Sequence, residues 1–219
     1  MHRGVRPDNL AFLPGEPHNL SDSYRTPGMA PVLRFLEQRK KRPWKRVTSA
    51  RLAAASALVG LFALVALRSE GFIPIVDHAN LVFHEAGHLL LGLSGHTLGL
   101  YGGTLGQLAF PCVAVGSFWL RGETISCAMG WAWLFENFLN IARYVGDARA
   151  RVLPLVGSGE HDWAEILSRW GALASDIRIA SVVNAMGWAG FMAAWGWVVW
   201  RWWRDRRWGD EQGTLEGGT

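Results

Sequence analysis

The chain has 219 residues and a formal net charge of +4; half of it is apolar, only 18% is charged, and there are 13 Trp against 3 Tyr. That composition excludes a disordered chain, a disulfide scaffold and a collagen-like repeat. Several apolar runs reach bilayer-crossing length, which argues against a water-soluble α/β domain and for an integral membrane protein.

Residues 1–46 read as a polar N-terminal tail. Its first 30 residues are rich in Pro, Gly, Asn and Ser and are expected to be disordered. Ala30 to Arg42 suits a short basic amphipathic helix ending in Arg39-Lys40-Lys41-Arg42, suited to anionic headgroups. No signal peptide is expected, because about forty polar residues precede the first apolar run. The basic residues sit where a membrane protein places them, so no nucleic-acid partner is expected.

Residues 47–200 carry about five apolar segments, which predicts an all-α, polytopic membrane helix bundle. They run from Val47 to Leu67, Pro74 to Leu93, Tyr101 to Leu120, Thr124 to about Val152, and Ile177 to Trp200. Pro74 suits a first helical turn, and Pro111 predicts a kink mid-span. The Gly-rich stretch Gly92 to Gly103 is the best candidate for a re-entrant segment. Pro154 to Asp176 reads as a polar loop, and 201–219 as a basic and polar C-terminal tail behind an aromatic belt, Trp200-Arg201-Trp202-Trp203-Arg204. The basic clusters at both ends favour the cytoplasm, but five crossings would separate them. Cys112 and Cys127 fall in apolar runs and read as small buried hydrophobes.

The second segment contains His84-Glu85-Ala86-Gly87-His88. At 100° per residue the two histidines lie one turn apart on one face, where both imidazoles can reach one Zn²⁺ at ~2.0–2.1 Å. Glu85 is displaced along the helix, where it reaches a metal-bound water and serves as general base. Asp77 and Asn80 continue that face and are candidates to support the ligands. Ionisable groups inside an apolar segment are costly and usually functional.

Two histidines leave a ligand to be found. Glu136, Asn140, Arg143 and Asp147 form a polar stripe on the fourth segment, and Asp147 reads either as a ligand or as an ion-pair partner of Arg143 or Arg151. The loop supplies His161 and Asp162, of which His161 is preferred; His96, just past the motif helix, is a further candidate. The expected metal set is therefore His84 and His88 with Asp147, His161 or both.

The HEAGH in an apolar helix, the Gly-rich turn after it and a distal Asp resemble the site-2 protease family of intramembrane zinc metalloproteases. The resemblance implies His84 and His88 as zinc ligands, Glu85 as the base and a distant aspartate as a further ligand. It also implies cleavage within a membrane-protein substrate's transmembrane helix. Asn140 to Asp147 is a loose counterpart of the family's Asn-Pro…Asp-Gly motif: Pro does not follow Asn140, and Ala148 stands where Gly follows the aspartate. With no room for a PDZ-like domain, the chain resembles a divergent, minimal relative, expected in the bacterial cell (inner) membrane. Two other readings remain: a scaffold or sensor whose structural zinc takes four protein ligands, and a transporter, against which the lack of internal symmetry counts.

Overall fold

In a computed structural model, residues 37, 43–69, 72–156 and 161–216 are described. Apart from residues 37 and 43–46, the expected N-terminal tail with its basic amphipathic helix lies outside them, as do residues 157–160 of the loop. The described residues are helical with no strand, in the order α1 (Ser49–Arg68), α2 (Pro74–Gly92), α3 (His96–Arg121), α4 (Thr124–Gly146), α5 (Asp162–Arg169), a 3-10 turn (Leu173–Ser175) and α6 (Asp176–Glu216).

Three stretches are long and apolar enough to cross a membrane: Ser49–Arg68, His96–Arg121 and Leu173–Arg207. Their large apolar side chains face outward, with Leu67 71%, Val113 70% and Val182 60% exposed. An aqueous protein would hide such surfaces, so this is a membrane protein. The remaining long helices, α2 and α4, carry the ionisable residues of the motif and of the polar stripe inward.

Local chemistry sets the ends of these helices. Thr48 Oγ1 accepts from the Arg51 N–H at the start of α1, Pro74 opens α2 where no N–H is needed, and Gly122 closes α3 at φ 70°. Helix α3 begins five residues before the expected Tyr101 and runs unbroken through Pro111. The Gly-rich stretch is thus no re-entrant loop beyond the short turn at Leu93–Gly95; from His96 its glycines are helical. They serve close packing of α2 on α3: a Cβ on Gly87 would lie 2.1 Å from the Gly102 carbonyl oxygen, and one on Gly102 would lie 2.5 Å from that of Gly87.

Helix α4 stops at Gly146, short of the expected Val152, because Asp147 terminates it. Its carboxylate accepts from the Val152 N–H at 2.9 Å and the Leu153 N–H at 3.0 Å, turning the chain sharply and leaving Arg151 at φ 52°. Helix α6 continues past Trp200 to Glu216, beyond the boundary expected for the C-terminal tail. Small residues let α4 and α6 approach: Phe135 fills the space over Gly190, and Leu139 that over Gly187. Val59 of α1 joins Ala132 and Phe191 in the core between these three helices.

Residues 44–47 lie at the same end of this bundle as residues 201–205. The Val47 N–H donates to Asp205 Oδ2 at 3.0 Å, the Arg201 guanidinium stands 5.8 Å over the Trp44 ring, and the Lys45 N–H donates to the Gly122 carbonyl.

Candidate metal centre

Helix α2 brings His84 and His88 onto one face, with their Nε2 atoms 3.0 Å apart. Asp162, in the first turn of α5, places Oδ2 2.9 Å from His84 Nε2 and 3.1 Å from His88 Nε2. These three atoms form a group that could hold a metal ion. Among the described residues no fourth His, Cys, Asp or Glu joins them.

The far sides of the rings decide what the near sides present. His88 Nδ1 is 2.8 Å from the Gly99 carbonyl, which can only accept, so this nitrogen carries the proton and Nε2 offers a lone pair. His84 Nδ1 is 2.9 Å from Gln107 Oε1, the same arrangement. Two lone pairs and a carboxylate oxygen therefore converge, an arrangement that a bound metal ion, or a proton on one Nε2, relieves. Burial pushes the Asp162 carboxyl up, but with a proton on Nε2 in place of a metal, His84 and His88 hydrogen-bond it and hold it at about 2, so it is an anion at neutral pH. The donor set of two imidazoles and one carboxylate suits zinc, and ring nitrogens turned to acceptors are how such ligands are oriented. Gly103 lies directly beneath: a Cβ there would sit 2.3 Å from His84 Nε2 and 2.5 Å from His88 Nε2.

The other two expected ligands are elsewhere. Asp147 spends both carboxylate oxygens on the turn after α4. His161 is buried against it, with Nε2 3.4 Å from Asp147 Oδ2. Its Nδ1 accepts from the Ala164 N–H at 3.3 Å and caps α5, so its lone pair is taken. Burial lowers the pKa of His161 against the pull of Asp147, which keeps the ring neutral. The pair thus holds Asp162 in place from behind. His96 is exposed, with Nδ1 3.5 Å from Arg169 Nη2, and takes no part in the group. Nor do Asp77 and Asn80 support the histidines: Asp77 accepts from the Ile73 N–H, and Asn80 donates to Glu136 at 2.9 Å and accepts from Trp133 at 2.8 Å, tying α2 to α4.

Sequence reasoning missed Gln107 and Tyr144. Gln107 is a buried amide in an otherwise apolar run, and that polarity was its signal. Tyr144 stacks on His161 with ring centroids 4.2 Å apart, and its hydroxyl accepts from the Asp162 N–H at 3.2 Å.

The group opens on a cavity of about 1130 Å³, whose wall includes Glu85, half-buried, beside His84, His88, Asp162, Arg143 and Tyr144. Comparison with protein-family models, curated proteins and solved structures finds no match.

Proposed function

We propose that the protein is a zinc-dependent intramembrane endopeptidase of a bacterial cell membrane, cutting a peptide bond in a membrane-protein substrate. The observation that carries this reading is the three-donor group facing a cavity that also holds Glu85. A structural zinc site closes with four protein ligands, whereas a catalytic one takes three and leaves a position open.

His84, His88 and Asp162 would hold the ion, which when bound supplies Lewis acidity toward the scissile carbonyl and lowers a water's pKa to ~7. Glu85 accepts the proton of the attacking water and passes it to the leaving nitrogen. Gln107 and the Gly99 carbonyl fix the imidazole orientations, and Tyr144 holds Asp162 through its backbone. The arrangement agrees with the resemblance of the HEAGH helix to the site-2 protease family, with Asp162 in the role of the distant aspartate.

Glu85→Gln tests the reading. General base catalysis contributes about 10²–10⁴-fold, so the variant retains zinc and loses cleavage by that factor. The assay is co-expression with tagged single-span membrane proteins. Fragments cut within the span and formed by wild type alone support the protease. Identical fragment patterns for both proteins across a broad library contradict it.

A further inference from the structure

The cavity wall carries two arginines with which no acidic residue among the described ones pairs. Arg143 projects from α4 one position before Tyr144, its guanidinium 5.3 Å over the Phe72 ring. Arg151 comes from the turn after α4. Each is four residues from Asp147, so either could have paired with it. The backbone of residues 152 and 153 takes both Asp147 oxygens instead. Among the described residues neither arginine has an ion-pair partner.

The carboxylates of the same wall are already engaged. Asp77 accepts from Ile73 and Asn80, Glu165 pairs with Arg169 at 2.8 Å, Asp162 belongs to the histidines, and Glu85 is the proton acceptor. Arg151 also adopts φ 52°, the left-handed region that a side chain with a Cβ enters only at a cost and where glycine is at ease. A charged residue occupies a glycine position at the rim of the metal cavity.

We propose that the cavity selects a peptide segment carrying a carboxylate side chain next to the scissile bond, held by Arg143 and Arg151. This rests on the hydrolase reading and adds the substrate class to it. A peptide carboxylate fits better than a lipid headgroup because both arginines line the cavity of the three donors, and a guanidinium fork matches a carboxylate in paired hydrogen bonds.

The test uses full-length protein in neutral detergent with cobalt in place of zinc. Two peptidyl hydroxamates serve as probes, identical except for Glu or Gln beside the metal-binding group. Cobalt absorption reports engagement of the metal, and its titration gives affinity. The Glu probe binds wild type about tenfold to hundredfold tighter than the Gln probe, the range of a charge-assisted hydrogen bond. In Arg143→Gln/Arg151→Gln that ratio falls toward one while the cobalt spectrum persists. Arg151→Gly, which relieves the backbone and so folds readily, lowers the ratio in part, and Arg143→Lys preserves some of it. Equal affinity of the two probes in wild type, with a clear spectral shift, overturns the substrate class alone. So does an unchanged ratio in the Arg151→Gly and double variants. If neither probe shifts the spectrum, the hydrolase reading fails and this inference fails with it.

Discussion

The Gly99 carbonyl and the Gln107 amide do as much to define the site as the ligands they touch, because they decide which ring nitrogen is free. Removing such a partner typically costs 10–100-fold in metal affinity. Gln107→Leu should therefore weaken zinc binding about 10–100-fold, measured by competition with a chromogenic chelator. Asp162→Ala should weaken it further, since two imidazoles remain. Asp147→Asn should retain zinc far better than Asp162→Ala, because its oxygens serve the 152–153 backbone. If Asp147→Asn and His161→Ala lose zinc while Asp162→Ala keeps it, the ligand assignment is wrong. At this scale HExxH was fully legible in the sequence, since the i, i+4 spacing dictates one helical face. The choice among Asp147, His161 and Asp162 was not. Adjacent loop residues project in different directions, and only the fold shows that His161 caps α5 while Asp162 faces α2.

The glycines of α2 and α3 let the metal helix lie against its neighbour. Gly87 and Gly103 have different tasks that substitution separates. Gly87→Ala drives a methyl into the Gly102 carbonyl and should destabilise the fold by about 1–3 kcal/mol, the usual cost of overpacking. Gly103→Ala drives one into the imidazoles and should lower metal affinity more than it lowers stability. Gly60→Ala, with nothing within 4 Å of the added methyl, is the control and should be neutral or slightly stabilising. Thermal unfolding in detergent, with and without zinc, distinguishes the three; equal behaviour of Gly87→Ala and Gly60→Ala would contradict the packing account. Glycine density was visible in the sequence, but its purpose was not. A run such as Gly99-Leu-Tyr-Gly-Gly reads locally as a loop, and only a partner helix turns it into a contact face. Likewise α4 was recognisable, while its end was not, since Asp147 looks like another member of the polar stripe until its carboxylate is seen closing the turn.

At the scale of the whole molecule, the start of α1 and residues 201–205 of α6 share one end of the bundle. Two points on one side of a membrane are joined by an even number of crossings, so this arrangement predicts that one more helix crosses beside the three long apolar stretches. Reporters placed before Trp44 and after Arg207 should therefore report the same side, the cytoplasm by the positive-inside rule; opposite sides would contradict the bundle as described. The apolar segments were legible from composition. The crossing number was not, because an apolar helix such as α2 carries no local mark of whether it traverses the bilayer or packs within it. Everything proposed about chemistry depends on what occupies the space between α2 and α5. X-ray absorption at the zinc edge of protein purified without chelators tests that most directly. The account predicts about one zinc per chain, bound by two imidazoles and oxygen ligands at ~2.0–2.2 Å. A third imidazole, which would bring His161 or His96 into the shell, or protein that takes up no zinc, would contradict it.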